Sequence, residues 1–562
     1  MIRNKKRRIL IECVTVFIIL IFCQWFFFRN VIFTNTGALF GDRGDGRLTT
    51  LLAEHWYKFF RGEEKFSELT MFYPIDGVIG YTDLLFMYGM IHSILRTIGL
   101  NMFAAYKWTI VLVCTAGTFG MYYLLRKTLK IHALWSLFGT LAFCFSDTLG
   151  RHLNHTQLSA VSFLPFLLIF LIDFLRNITI RKKRNIYAYL LLTLFVLLTY
   201  NSWYIACFTG IFSLFFLFIY SIIILSQKLP FFSLIHKYIR LLWKDILCYI
   251  VFTVISFIPF LNIYIPILRS SSGYSYYDCA QFMPEIVDII NVTETNFMLG
   301  DFMKYLKLSS RNYSAEVTMG YSIILLVLFV YTFFKVKKRY IFKVTNSQSL
   351  QYKRIMILAV YVAVIFTQFS ITRLSANGVS LWMFFYHFLP VAKSIRAIAR
   401  FMLWLSFPMT VVTSYAADQL LLCKKIRGKL IASLFIILVF VSNINTIGVN
   451  QNWNKPYDWN FLSNVPAPPD HLDSFYIIDT GNKCETPVVY QLDAFEIATW
   501  YSIKTINGYS GQFPSGWKIW NLCDDFYEEN VFNWIEIYNL ENVYAFDKTE
   551  NEWIPVEERK KY

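Results

Sequence analysis

The sequence predicts an α-helical polytopic membrane protein that ends in a small α+β domain. Its 562 residues are 56% hydrophobic and 19% aromatic, which is too apolar for one soluble core. Apolar runs long enough to cross a bilayer as helices recur through residues 1–449. The segment 450–562 differs, since it carries 18 Asp and Glu against 8 Lys and Arg. We therefore predict a transmembrane domain at 1–449 and a soluble extracytoplasmic domain at 450–562.

The first apolar run, 9–28, follows five basic residues between Arg3 and Arg8. The positive-inside rule places these bases in the cytoplasm and the sequence after the run outside. The run is too long for a cleavable signal peptide, and no small-residue cleavage site follows it. We expect it to be the first membrane span.

The stretch 84–100 decides how many spans follow. It is apolar but short, and it contains His92 and Arg96. If it crossed the membrane, every later basic cluster would lie outside. We therefore predict a helix lying along the outer membrane surface, within an outer loop at 29–103. About eleven spans are then predicted: 9–28, 104–125, 132–146, 157–175, 186–200, 204–226, 245–266, 319–335, 355–371, 401–421 and 430–447. This odd number places the C-terminus outside a cell (plasma) membrane.

The overall charge of +16 is not evidence for nucleic-acid binding. The last 112 residues carry −10, so the rest carry +26, in short clusters between spans where bases orient helices and meet anionic lipid. We therefore expect membrane lipid as a partner and no nucleic acid. The ten cysteines show no metal-binding spacing, although Cys484 and Cys523 could form a disulfide in the tail.

The tail, residues 450–562, contains segments typical of strands and turns. DSFYIID and TPVVYQL are strand candidates, and NGYSGQFPSGW is rich in turn residues. The final ENVYAFDKTENEWIPV predicts a β-hairpin whose turn lies at 547–551. We expect an α+β domain of about 110 residues, a usual domain size.

The first candidate site is the loop after the first span, FGDRGDGRLTTLLAEHWY at 40–57. Asp42 and Asp45 lie there among three glycines, and Glu54 and His55 follow. A carboxylate in such a loop can act as a general base, and two can hold a divalent metal. The alternative is a solvated turn in which Asp and Gly have their usual roles.

The second candidate is SDTLGRHLNHTQ at 146–157, which contains Asp147, His152, His155 and Gln157. Two histidines three residues apart share one face of a helix, which suits a metal or hydrogen bonds to a sugar. Structural hydrogen bonding is the alternative for either histidine.

The third candidate is KSIRAIARF at 393–401. Lys393, Arg396 and Arg400 are spaced i, i+3 and i+7, which on a helix gives one cationic stripe at the outer surface. Bases on that side are disfavoured by the positive-inside rule, so a lipid phosphate is the expected ligand. Ordinary headgroup contact is the alternative.

These elements together resemble the GT-C superfold of membrane glycosyltransferases, which use polyprenyl-phosphate sugars on the outer face. In that superfold an essential Asp follows the first span and a second Asp often lies in the next outer loop; Asp42 or Asp45 and Asp147 occupy those places here. Five segments look like a group of bacterial membrane proteins assigned to the superfold: GDRGDGRLTTLLAEHWYKFFRGE, FYPIDGVIGYTD, HLNHTQLSAVSFLPF, SIRAIARF and QLDAFEIATWYSIKTINGYSGQFPSGW.

The resemblance implies an inverting glycosyltransferase that moves a sugar from a polyprenyl-phosphate donor to a cell-envelope glycan, lipid or protein acceptor. Asp45 would be the base, and Asp42 or Asp147 would orient it or help hold a divalent metal, the one cofactor considered. Lys393 and the arginines of its stripe would bind the lipid phosphate. The residues expected to bind substrate are His152, His155, Gln157, Glu54 and His55.

Two other functions stay open at the level of sequence. One is a lipid-linked glycan flippase or transport component, and the other is a membrane scaffold without activity. Transporters commonly place ionisable groups at mid-membrane and are built from repeats. Ionisable residues are few within the predicted spans, and no repeat is visible. This pattern favours the enzyme.

Overall fold

The protein is described by a computed structural model that covers residues 2–32, 40–180, 185–227, 229–270, 273–308, 314–341, 348–375, 377–421, 425–446, 457–481 and 486–559. Within these ranges, six helical segments are long and apolar enough to cross a membrane: Leu10–Phe27, Met102–Thr128, Thr156–Ile178, Trp203–Ser226, Ile239–Arg269 and Leu350–Ile371. The chain is therefore a helical protein with the character of a multi-pass membrane protein.

The longer helices before the tail are labelled α1 to α13. They are α1 (Ile2–Phe27), α2 (Asp45–Phe60), α3 (Phe86–Thr97), α4 (Met102–Tyr123), α5 (Ala133–Cys144), α6 (Leu164–Ile180), α7 (Ile186–Asn201), α8 (Trp203–Ser226), α9 (Phe231–Ser270), α10 (Ile323–Ile341), α11 (Gln348–Ile371), α12 (Arg400–Leu421) and α13 (Ile426–Ser442). Each of the eleven predicted spans overlaps a helix of this series. Helix α5 has 12 residues, about 18 Å of rise, which is short of the roughly 30 Å bilayer core. The number eleven therefore stays a prediction.

Helix α3 occupies the stretch that was predicted to lie on the membrane surface. Its 12 residues are too few to cross a bilayer. One face packs on α2, where Gly89 leaves room for the Trp56 ring. The other face carries Met90, Ile94 and the following Ile98, which are 43%, 65% and 68% exposed. Such an apolar stripe suits a helix at a membrane surface.

The tail forms a four-stranded sheet with strand order β2-β1-β3-β4, where β1 is Ser474–Ile478, β2 is Lys504–Thr505, β3 is Val543–Asp547 and β4 is Glu552–Pro555. Strand β1 runs parallel to β2 and β3, and β3 pairs antiparallel with β4. The predicted strand in DSFYIID and the predicted final hairpin are both confirmed. Cys523 is disulfide-bonded; its predicted partner, Cys484, lies outside the described residues.

The second predicted strand of the tail, TPVVYQL, is wrong. It lies in helix α14 (Pro487–Tyr501), which begins with a proline in its first turn. Consecutive side chains from Val489 to Thr499 are buried, so the helix is covered on all sides. A short apolar run of this kind has no periodicity that separates a strand from a buried helix. The tail also contains α15 (Tyr527–Ile537).

Helix α14 joins the tail to the rest of the protein by packing on α2. Arg47 of α2 pairs with Asp493 and Glu496 of α14, and all three side chains are fully buried. Three turns along, the ammonium of Lys58 donates to the Thr499 carbonyl. The tail therefore shares a buried polar interface with the loop that carries the first candidate site.

Candidate functional site

Glycines set the backbone of the GDRGDGR loop and direct its two carboxylates differently. Gly41 has φ +105°, and a side chain at Gly46 would collide with the Gly41 backbone. The Asp42 Oδ1 atom accepts from the amides of Gly44 at 3.0 Å and Gly46 at 3.1 Å, which closes a local turn. Asp45 starts α2 and projects from it. Asp42 therefore has the turn role that was its alternative interpretation.

Asp45 connects three distant parts of the chain. Its Oδ2 atom lies 2.6 Å from Nδ1 of His155, and its Oδ1 atom accepts from the Tyr509 hydroxyl at 3.0 Å. The Asp45 side chain is 27% exposed. The carboxylate is thus fixed by two partners while part of it remains open to a ligand.

The contacts continue beyond His155 as a row of alternating charges. The His155 Nε2 atom lies 3.1 Å from Oε1 of Glu316. Arg400 then binds the Glu316 carboxylate through both oxygens, with Nε at 3.0 Å and Nη2 at 2.8 Å. We call Asp45, His155, Glu316 and Arg400 the charged row. A bidentate contact between an arginine and a carboxylate is strong and geometrically specific.

The charged row favours the ionised forms of its members. Burial raises the pKa of Asp45, but the hydrogen bond and charge of His155, with Arg400 and Tyr509, lower it overall. Burial and Arg400 lower the pKa of His155, yet Asp45 and Glu316 raise it overall. Glu316 has a strongly lowered pKa, because Arg400 and His155 outweigh its burial. Asp45 therefore favours its anionic form, and His155 beside it favours its imidazolium form.

A further carboxylate near the row is Asp83, which was not among the candidates. Its Oδ1 atom accepts from the Trp203 amide at 3.0 Å. Burial raises the pKa of Asp83 to about 6, with Asp45 acting in the same direction and Arg400 opposing it. Two neighbouring carboxyl groups with opposite pKa shifts are typical of acid–base sites.

The predicted cationic stripe is wrong as a helical face. The segment Pro390–Ser394 is a short 3₁₀-helix, and α12 begins only at Arg400, so the spacing i, i+3, i+7 does not align the three bases. Arg400 is buried, and its guanidinium forms an ion pair with Glu316. Lys393 is exposed with its ammonium 5.7 Å from the Tyr386 ring.

Arg396 is the exposed arginine of this segment. Its guanidinium lies over two rings, 5.5 Å from that of Tyr274 and 5.1 Å from that of Phe282. Its charge acts on the Tyr509 hydroxyl, which donates to Asp45. Among the described residues no carboxylate pairs with Arg396, so its guanidinium is available to an anionic ligand.

Asp147 belongs to a different cluster. Its Oδ1 atom accepts from Asn445 at 2.8 Å, and its Oδ2 atom accepts from Arg151 at 3.2 Å and Asn296 at 3.3 Å. The side chain is 2% exposed and borders a mostly apolar cleft beside Arg29. Among the described residues no contact joins Asp147 to Asp45.

The carboxylates predicted to share a metal are therefore not assembled around one ion. The Asp42 carboxylate accepts hydrogen bonds from backbone amides of its own turn. The Asp147 carboxylate accepts hydrogen bonds from two asparagine side chains and an arginine. In the part of the chain that the structure describes, no group of three or more His, Cys, Asp or Glu is arranged to hold a metal.

The other residues predicted to bind substrate divide into two groups. His155 lies in the charged row, whereas Glu54 binds His92 and Arg96 and so ties α2 to α3. The remaining three also lie outside the row: His55 bonds Glu64, His152 bonds the Thr148 carbonyl, and Gln157 Oε1 accepts no hydrogen bond from the described residues.

Tyr509 belongs to a tail segment that covers the Asp45 end of the row. The Ser510 hydroxyl donates to the Tyr81 carbonyl, and the Tyr274 hydroxyl donates to the Gly511 carbonyl at 3.1 Å. Glu316, Tyr509 and Asp83 are the residues that the sequence interpretation missed. Asp83 ends the segment FYPIDGVIGYTD, and Tyr509 lies in NGYSGQFPSGW. No spacing pattern connects either residue to Asp45.

Comparison of the chain with protein-family models finds no match, and comparison with curated protein sequences finds none either. The resemblance to the GT-C superfold therefore stays an expectation, and a function has to be argued from the site itself.

Proposed function

We propose that this protein is an inverting glycosyltransferase that moves a sugar from a polyprenyl-phosphate donor to a cell-envelope acceptor at the outer face of the membrane. The observation that carries the proposal is the Asp45 carboxylate, which is ionised, 27% exposed and fixed by His155 and Tyr509. Its position after the first span, with the exposed Arg396 acting on its partner Tyr509, suits a reaction at the membrane surface.

The reaction requires a base and a partner for the leaving group. An acceptor hydroxyl oxygen attacks the anomeric carbon, and the bond from that carbon to the phosphate oxygen breaks with its electron pair leaving on the phosphate. Asp45 receives the hydroxyl proton. Arg396 binds the departing lipid phosphate, whose charge grows as the bond breaks. Inversion follows because the acceptor attacks opposite the leaving group.

The residues that contact Asp45, directly or through His155, support this reaction by fixing the position of its carboxylate. His155 and Tyr509 orient Asp45, and Glu316 with Arg400 holds the His155 ring from its far side. A lowered pKa keeps Asp45 ionised but makes it a weaker base, so proton transfer occurs late, when the attacking hydroxyl has become acidic. Asp83, with a pKa of about 6, is the second candidate for the base.

The chain supplies a matched pair of variants for the test. Asp45→Asn removes a basic oxygen but keeps the size of the side chain, and turnover should fall by roughly 10²-fold or more with donor binding little changed. Asp42→Asn is the control, because an amide oxygen can still accept from the Gly44 and Gly46 amides. Both are compared in vesicles supplied with a panel of polyprenyl-phosphate sugars, by release of lipid phosphate and transfer of sugar.

Normal transfer by Asp45→Asn would remove Asp45 as the base and make Asp83 the next residue to test. Normal transfer by Asp45→Asn, Asp83→Asn and Asp147→Asn would refute the enzyme proposal for these carboxylates. Movement of the intact donor across the bilayer without transfer would identify the protein as a transport component instead.

A further inference from the structure

Partly exposed aromatic rings continue from Tyr509 across the surface of the tail. Tyr509 stacks on Trp520 with ring centroids 6.0 Å apart and planes at 27°. Phe513 meets Trp520 at 5.3 Å and 61°, and its own ring is 41% exposed. We call Tyr509, Phe513 and Trp520 the aromatic platform.

The platform is held rigid by buried neighbours. Phe513 lies parallel to Trp517 at 5.1 Å, and the Trp517 indole donates to the Ile506 carbonyl at 3.0 Å. Asn507, which is fully buried, donates to Gln491 and Tyr527 at 3.0 Å each. The platform rings are thus fixed without being buried themselves, and rigidly held exposed aromatics are characteristic of recognition surfaces.

The chemistry around the platform selects the kind of ligand. One end reaches the Asp45 carboxylate through the Tyr509 hydroxyl, and Asp42 also acts on that hydroxyl. The tail from residue 451 onward carries a net charge of −10, which disfavours polyanions such as nucleic acids. A neutral sugar ring combines a face of C–H bonds, which packs on an aromatic ring, with hydroxyls that donate to carboxylates.

We propose that the aromatic platform binds a neutral saccharide and that this saccharide is the acceptor. The inference rests on the proposed function, because it specifies a glycan among the glycan, lipid and protein acceptors. A sugar stacked on the platform next to Tyr509 presents its hydroxyls toward Asp45, where the proton is removed.

Binding to the purified full chain tests this directly. The probes are free di- and trisaccharides of glucose, galactose, mannose and N-acetylglucosamine, and affinity is followed by saturation-transfer NMR on the sugar. Phe513→Ala and Trp520→Ala should each weaken binding by about five- to tenfold. Phe526→Ala is the matched control, since Phe526 is 63% exposed in the same tail but outside the platform, and binding should not change.

Conservative variants keep the test valid if an alanine variant misfolds. Trp520→Phe and Phe513→Tyr retain a ring and should retain most of the affinity. If no saccharide of the panel binds, or if the platform variants bind like Phe526→Ala, the inference is refuted. Preferential binding of a peptide at the platform would also refute it.

Failure of the proposed function gives a different result. If Asp45→Asn transfers sugar normally while saccharide binding still depends on Phe513 and Trp520, the platform is a saccharide site and the base is elsewhere. If Asp45→Asn abolishes transfer but the platform variants bind and transfer normally, the catalytic proposal stands and the platform inference falls.

Discussion

Arg47 joins the first candidate loop to the tail through charges that are completely buried. Its Nη2 atom lies 2.5 Å from Oδ1 of Asp493, and it also bonds Glu496. Lys548 approaches the other Asp493 oxygen at 2.9 Å, so two cations balance two carboxylates. Replacing Arg47 with Met keeps much of the volume but leaves one negative charge buried without compensation.

The expected cost of Arg47→Met is about 3–5 kcal/mol of unfolding free energy, because breaking a buried ion pair from one side leaves its partner unpaired. This is a large share of the roughly 5–15 kcal/mol that stabilises a typical protein. Adding Glu496→Gln should recover most of the loss, because Lys548 and Asp493 then balance each other.

Thermal denaturation of the full chain in detergent, followed by tryptophan fluorescence, measures this effect. Limited proteolysis reports in parallel whether the tail separates from α2. Arg61→Met is the matched control at the end of the same helix, because Arg61 is 57% exposed and pairs with an exposed Glu63. Removing this exposed ion pair should change the melting temperature little. Equal behaviour of Arg47→Met and Arg61→Met, or no rescue by Glu496→Gln, would refute the reasoning.

Three further predictions concern the site and the topology. Burial raises the pKa of Asp83 from 3.8 to about 6, so the folded chain holds a proton that the unfolded chain releases, and stability should fall by up to about 3 kcal/mol as pH rises through this window. Asp83→Asn should flatten that part of a plot of melting temperature against pH, and an unchanged plot would contradict the assignment. Arg396→Ala should weaken donor binding and turnover with little effect on melting, whereas Arg400→Ala should lower the melting temperature markedly, since Arg400 is a buried ion-pair partner; the reverse order would show that Arg400 meets the phosphate. A reporter active only in the cytoplasm should be active when fused after Lys429 and silent after Tyr562, and activity at Tyr562 would mean an even number of spans.

Local sequence was enough to predict most of the helices. A helix in lipid satisfies its backbone hydrogen bonds internally, so a long apolar run specifies it with little help from distant residues. The same holds for the final hairpin of the tail, whose turn at 547–551 is marked by residues that favour turns. The local signal of TPVVYQL does not separate a strand from a helix. The segment forms a helix that is buried on every side within α14.

The sequence by itself identified Asp45, His155 and Arg400 as separate candidates but not the row that connects them. His155 lies 110 residues from Asp45, and Tyr509 lies 464 residues away. No local spacing links positions so far apart, so Glu316 and Tyr509 carried no signal of their own. The GDRGDGR glycines and the local turn of Asp42 set the backbone of the loop, but only the tertiary structure brought His155 and Tyr509 to the Asp45 carboxylate. Tertiary structure made that choice because the charge of Asp45 is stabilised by groups that the fold brings together from distant segments of the chain.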